Sequence, residues 1–427
     1  MKLGFARKDI TPDFPVPLAG YYAPNRVSQG VHDRLYVRAL YFEGANHDPM
    51  AILQLDLLCL DKLCLDKIYD GLGKCNALLN KNRILVCTIH SHSAFGGIYN
   101  TEDGINRELI PLFGGYNPAL VKLVVEKSVE AVMEAGKNLV ETTIRINRGA
   151  VEGLGLNRRR ADLPCDNSLF MMEFCRDDGK KVILYNLCCH PTVMNKENLL
   201  ISADFPGAIA EKLEGIPGGY DMVVFINGSA GDLSTRFTRK ENSFDECNRY
   251  ANIVIEAING LQKGEFLPLE KTELHYYSIS LKMAVPPVAE DARENLQRAV
   301  KKLEGLKGQN ADTATLRKAA SLVEGAQMSM IKANFEDKSG KSDNKTIETG
   351  ILKINDCTIV CSPLELFSTL ALILKQKKNV ECFGYANCLD GYLADTDAFD
   401  NLDYEALSSD FLRGEGEHYI ELVSALV

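Results

Sequence analysis

Histidine is scarce in this chain, with seven among 427 residues. Basic charge is also short: 48 Lys and Arg stand against 58 Asp and Glu, a net charge of −10. That balance argues against non-specific binding to nucleic acid or to anionic membranes. No window approaches the roughly 18 consecutive apolar residues of a membrane span, so no stable membrane insertion is expected. The opening MKLGFARKDITPDFPVP lacks the apolar core of about 7–15 residues that marks a secretory signal. The 13 cysteines are odd in number and scattered, and none forms a C-x-x-C pair. They read as reduced, buried thiols of a cytoplasmic protein rather than as a disulfide framework. The composition, 46% apolar and 25% charged, is that of an ordinary globular protein, and the length allows one large core or two to three smaller ones.

Short apolar runs alternate with helical patterns. RALYFEG and MAILQLDLLCL read as strands, as do ILVCTI, TTIRINRGAV and MVVFIN; LFMMEFC and KVILYNLCC read as a hairpin around RDDGKK. LCLDKIYDGLGKCNALL, PALVKLVVEKSVEAVMEAGKNL, PGAIAEKLEGI and NRYANIVIEAINGLQ read as helices, the second starting at Pro118. The expected fold is α/β: a large mixed β-sheet core flanked by helices on both faces. Residues 285–340 differ in character. They are charged and rich in helix formers, and they predict a helical hairpin followed by a polar tail, EDKSGKSDNKT. This excursion is expected to interrupt a single domain spanning 1–427, whose sheet pattern resumes at TGILKINDCTIVCSP.

Three strand ends carry the polar residues that α/β proteins use for chemistry. In ILVCTIHSHS the strand period of two puts His90 and His92 on one face. Such a pair supplies two metal ligands, or one ligand with an acid–base group beside it. KVILYNLCCHPT ends in His190, with Pro191 stopping the strand. CTIVCSPLELFSTL reads as strand, Ser-Pro turn and a helix whose first turn contains Glu365. That carboxylate either complements the helix dipole or joins the histidines as a ligand; two histidines, a glutamate and an open position form a recurring zinc set. In FINGSAGDLSTR the glycines suggest an amide-rich loop and Asp232 a turn cap. Arg158 to Arg160, after GLGLN, form either a solvated run or a source of one guanidinium for a cleft.

The segments GFARKDITPDFPVPLAGY, GVHDRLYVRAL, TIHSHSAFGG, GLNRRR, CCHPT, INGSAGDLS, SPLELFSTL and DGYLADTDAFDNLDYEALSS follow one another along the chain. In that order they resemble the blocks of the neutral/alkaline (non-lysosomal) ceramidases and their bacterial relatives, over nearly the whole chain and the N-terminal catalytic domain of that family. The resemblance implies one Zn2+ per chain, held by His90, His190, Glu365 and Tyr392. It implies His92 as the catalytic histidine beside the metal, and Arg158 and Tyr404 as residues contacting the scissile group. It implies zinc-assisted hydrolysis of a linear N-acyl amide, ceramide-like or another N-acyl amine, as the small-molecule substrate, and it has no bearing on oligomeric state. HSHSAFGG lacks the Gly-Pro that the family places after the serine, and Leu364 stands where the family has glycine. No counterpart of the family's C-terminal immunoglobulin-like module is expected within 1–427.

Three other readings compete. Barrel amidohydrolases also use a strand-end His-x-His, but they need further strand-end histidines, and His275 and His418 are not so placed. Metallo-β-lactamase-like enzymes need Asp-His after the pair, where Ala94-Phe95 stands. A metal-containing binding protein of the same fold would have no use for His92, Arg158 and Tyr404.

Overall fold

The computed structural model of this chain describes all residues except 103 and 335–342, with the backbone alone for residues 104 and 105. Most of the expected polar tail therefore lies outside the described residues. The core is a nine-stranded mixed sheet. Its order runs Met222–Asn227, Lys181–Leu187, Ser168–Arg176, Val140–Ala150, Lys2–Asp9, Tyr36–Glu43, Pro49–Leu55, Ile84–Thr88, with Leu267–Pro268 on the flank of Val140–Ala150. The hairpin around RDDGKK forms as expected, pairing Cys175 with Lys181 at its closed end. The two outermost strands run parallel to their neighbours and the inner pairs are antiparallel.

Period-two alternation sends the two faces of each strand into different cores. Val37, Ala39 and Tyr41 face the helices Lys62–Cys75, Pro118–Ala135, Asp204–Glu214 and Phe244–Leu261, while Leu40 and Phe42 face the other way. On that second face lies another sheet, of four strands: Thr272–Lys282, Asn344–Ile354, Cys357–Cys361 and Glu381–Phe383. Its outer face is covered in turn by the helices Ser368–Lys378 and Glu415–Ser424. The mixed sheet and its flanking helices match the expectation; the second sheet, set between the large sheet and one helical layer, is what the sequence did not foretell. Burial on both faces explains why strands such as Pro49–Leu55 are apolar at every position but Gln54 rather than alternating.

Side-chain caps fix the helix starts. Asp61 accepts from the Cys64 amide, Ser243 from that of Glu246, and Asn117, just before Pro118, from that of Ala119. The excursion is a pair of helices, Ala289–Gly308 and Thr313–Asn334, inserted between the directly paired strands Thr272–Lys282 and Asn344–Ile354.

Candidate metal centre and active site

The strand Ile84–Thr88 ends two residues before His90, so strand alternation does not orient the histidine pair. A turn does so instead. His90 adopts φ +67°, in the left-handed region that non-glycine residues seldom occupy. Its amide bonds the Leu57 carbonyl, and the turn is pinned from outside by the Ser91 hydroxyl on the Ser202 carbonyl. The rings of His90 and His92 meet edge to face at 5.0 Å, and His190 lies 4.8 Å from His90. His190 follows the end of the strand Lys181–Leu187, near the other end of the sheet order, and is fully buried. Asn227, at the end of a third strand, joins the two histidine loops: its side-chain amide donates to the Ile89 and Cys189 carbonyls, and its Oδ1 accepts from the Cys189 amide.

Glu365 is not in the first turn of a helix. The helix begins at Ser368, and Glu365–Leu366 instead forms a two-residue parallel bridge with Tyr392–Leu393, Glu365 pairing directly with Tyr392. Paired residues of a bridge project to the same side, so the bridge presents a carboxylate and a phenol together. The glycines of FINGSAGD serve close packing rather than an amide-rich loop: a Cβ on Gly231 would lie 2.3 Å from the Glu365 carbonyl oxygen. Asp232 caps, but across the structure. Its carboxylate accepts from the Ser368 amide at 2.6 Å, opening the helix that follows Glu365, and from Asn157 Nδ2 at 2.8 Å.

The donor set fits a metal cation. His90 Nδ1 is held by the Leu58 carbonyl at 3.0 Å, and His190 Nδ1 by the Ala230 carbonyl at 2.7 Å. With those protons fixed, both Nε2 atoms offer lone pairs, and they converge on one oxygen of Glu365 at 3.4 Å and 3.2 Å. Three acceptors facing one another inside a buried site call for a positive charge between them, and a carbonyl on the far nitrogen is the usual support of a metal-bound histidine. Burial, with the nearby Arg158 charge, pushes His190 down to about 3, so the ring stays neutral. Burial opposes ionisation of Glu365, but the two imidazoles overcome it and hold the carboxyl well below its usual range.

His92 is different. Its ring atoms come within 4.8 Å of those of His90 and His190, yet both of its nitrogens are buried without a partner. No carbonyl fixes its tautomer as one fixes each of its neighbours. Burial and the two other imidazoles push its pKa well below the ordinary histidine value. Gly20 makes room for it: at φ +99° a Cβ would stand 2.6 Å from the ring.

Of the three arginines, each has a separate environment. Arg158 enters the site, its Nε bonding Glu405 at 2.6 Å and its terminal nitrogen the Tyr392 hydroxyl at 3.0 Å. It lies 5.6 Å from the ring centroids of both Tyr392 and Tyr404. Arg159 is buried among Asp403, Asp395 and Asp397, and Arg160 is largely exposed. Burial pushes the Tyr392 hydroxyl well up, against the pull of the Arg158 charge. All seven residues singled out in the sequence thus surround one site. Sequence reasoning missed Tyr385, whose ring stacks on His90 at 4.1 Å and whose buried hydroxyl has no partner. It missed Arg26 as well, which donates to the His92 and Ala19 carbonyls and staples that loop.

Two cavities meet here, sharing Gly20, His92, Tyr392 and Tyr404. One, of about 190 Å³, has His90 and Glu365 at its base and Leu58, Leu109, Leu112, Phe113, Met328 and Leu389 in its walls. The other, of about 420 Å³, is predominantly basic. The helix Thr313–Asn334 roofs both, with Arg317, Ser321 and Glu324 over the basic chamber and Met328 and Lys332 over the apolar one.

Comparison with known proteins places this arrangement. The chain is 25% identical over 228 residues to a neutral ceramidase of Oryza sativa subsp. japonica, a match covering 50% of this chain and 28% of that protein. It is 23% identical over 247 residues to a neutral ceramidase of Mycobacterium tuberculosis, covering 51% of this chain and 37% of the other. The matches thus span about a third of those relatives' lengths. The fold superposes on the crystal structure of neutral ceramidase from Pseudomonas aeruginosa with a TM-score of 0.75 at 16% identity, over 99% of this chain and 73% of that one. The family model described as neutral/alkaline non-lysosomal ceramidase, N-terminal, matches residues 1–252, more than half of the chain, and the chain therefore belongs to that family.

Proposed function

We propose that this protein is a zinc-dependent hydrolase of linear N-acyl amides, ceramide-like or another N-acyl amine. The observation that carries the reading is the convergence of His90 Nε2 and His190 Nε2 on Glu365, each histidine held from behind by a backbone carbonyl. Tyr392, bridged to Glu365, completes the set. A zinc ion held by these residues supplies the Lewis acidity that makes water nucleophilic near neutral pH.

The chain's own residues do the rest. His92, neutral and unpartnered, accepts the proton released by the attacking water and returns it to the leaving nitrogen. Arg158 and Tyr404 face the chamber junction and hold the carbonyl oxygen as it gains negative charge. Glu405 fixes the Arg158 fork, so the guanidinium is oriented before substrate arrives. The acyl chain lies in the more apolar chamber, against Phe113, Leu112 and Met328. Metal analysis of the purified protein, combined with a substrate panel that includes ceramide and N-acyl amino acids, tests the reading. Absence of bound metal, or loss of none of it in a His190→Ala variant, sinks it.

A further inference from the structure

The second chamber does not suit a neutral substrate. Its walls carry Arg158, Lys196, Arg236, Arg239, Lys307 and Arg317 against two carboxylates, Glu197 and Glu324. Among the described residues, Arg158 is the one of these cations with an ion-pair partner, Glu405. Among the described residues, Arg236, Arg239 and Arg317 form no ion pair. Their hydrogen bonds go to neutral groups instead. Arg317 donates to the Arg236 carbonyl at 3.2 Å, and Arg236 donates to the Arg158 carbonyl at 2.8 Å and the Ser321 hydroxyl at 2.6 Å. Arg239 donates to the Thr192 carbonyl, and its Nε is buried with no partner. This gathering of positive charge stands in a chain whose net charge is −10.

Partly burying several like charges is costly unless a counter-charge arrives. The cost is visible in two of them: burial, with the charge of Arg158, pushes Arg236 down to about 10, and burial with the charge of Arg239 does the same to Arg317. Both remain cationic at neutral pH. Guanidinium forks are the side chains best shaped for carboxylate, phosphate and sulfonate oxygens. The carbonyl chain from Arg317 through Arg236 to Arg158 holds the forks in place and ties the chamber to the reacting centre.

We propose that the basic chamber receives an anionic group, a carboxylate, phosphate or sulfonate, carried on the amine side of the substrate's amide. The inference rests on the amide-hydrolase reading and names the substrate class within it. With the acyl chain in the apolar chamber and the amide at the shared residues His92, Tyr392 and Tyr404, the amine portion enters between Arg236, Arg239 and Arg317. The inserted helical hairpin then has a role in selection, because Arg317 and Lys307 are its own residues.

The test uses four amides of one acyl chain: N-octanoylglycine, N-octanoyltaurine, N-octanoyl-phosphoethanolamine and the neutral N-octanoylethanolamine. At least one anion is expected to exceed the neutral amide in kcat/KM by about tenfold or more, with the ratio falling as salt is raised. Arg317→Gln and Arg239→Gln are each expected to collapse that ratio. Which anion leads separates carboxylate, sulfonate and phosphate recognition. A neutral amide cleaved as fast as all three anions overturns the inference and leaves the hydrolase reading intact. Calorimetric binding of N-octanoylglycine and N-octanoylethanolamine to metal-loaded His92→Ala protein gives a readout that needs no turnover. Equal affinity there overturns the inference even if no amide is cleaved, whereas absence of cleavage alone counts against the hydrolase reading.

Discussion

The floor of the site and its roof hold their side chains by different means. In the floor, each candidate ligand is fixed by backbone: His90 by the Leu58 carbonyl, His190 by that of Ala230, Glu365 by its bridge to Tyr392. Asn227 locks the two histidine loops to each other, and all of this rests on strands buried on both faces. The roof helix Thr313–Asn334 buries only the small residues Ala319, Gly325, Ala326 and Ser329. Its partner Ala289–Gly308 buries only Ala292. The roof is attached by polar contacts such as Lys332 to the Ser408 and Ser409 carbonyls, both at 2.7 Å. A floor built this way resists rearrangement, as metal binding and proton transfer require. A roof with little buried apolar area belongs to the low-stability end of a structure, where specificity can change without disturbing the chemistry.

The sharpest way to break this comparison is at the floor. His190→Ala removes a candidate ligand whose place no neighbour can take, because the ring is fully buried. Bound zinc is expected to fall to background by elemental analysis, and turnover by about a thousandfold or more. His92→Ala separates metal binding from proton transfer. Zinc is expected to remain while kcat drops about 10²–10⁴-fold, the usual worth of a positioned acid–base group. Loss of zinc in that variant would instead make His92 a third ligand. The pH profile adds a sign. In the proposed mechanism His92 is the neutral base, and its pKa is pushed down by burial and by the neighbouring imidazoles. Activity is therefore expected to stay high as pH falls through the ordinary histidine value of about 6.5, and to fail only below it. An acid limb above that value contradicts the assignment.

The two regions also differ in how far the sequence disclosed them. His90, His92 and His190 follow buried, mostly apolar strands, so their positions at strand ends could be read directly; Arg158 follows only the two-residue strand Leu156–Asn157 and was placed by resemblance, and all four lie within the residues matched to the family model. Glu365, Tyr392 and Tyr404 lie beyond it; Glu365 was read as a strand-end carboxylate, helix cap or ligand, and the two tyrosines were placed by resemblance alone. A two-residue parallel bridge between Glu365 and Tyr392 leaves no periodic trace, which is why Glu365 read as part of a helix. The stacking of Tyr385 on His90 depends on residues Tyr385 and Asn387 taking positive φ, which no pattern of apolar residues encodes. The hairpin could be read as helices. Its position over the chambers could not, because a few long polar side chains set it rather than an apolar stripe.

The arginine triplet tests the joint between floor and roof. Arg159 anchors Asp403, the residue immediately before the helix beginning at Tyr404. Arg159→Ala removes the ion-pair partner of buried Asp403 and is expected to cost about 3–5 kcal/mol in urea unfolding, with kcat/KM reduced as Tyr404 shifts. Arg160→Ala, at an exposed pair with Asp162 3.5 Å away, is expected to change stability by less than about 0.5 kcal/mol.

A modest effect on activity comes from the roof itself and bears most directly on its looseness. A Cβ on Gly325 would stand 3.1 Å from the Cα of Tyr404, so the glycine lets the roof helix approach the backbone that carries a candidate catalytic residue. Gly325→Leu forces the two apart. The substitution should gain about 1 kcal/mol of helix propensity, offsetting part of the lost packing, so the melting temperature is expected to move little. The displaced Tyr404 is expected to lower kcat/KM about tenfold, since positioning errors at a reacting group are costly even when the fold is intact. Zinc content is expected to be unchanged, because Gly325 touches none of the floor. A variant that instead melts early, with zinc released, would show that roof and floor form one cooperative unit and that the contrast between them is false.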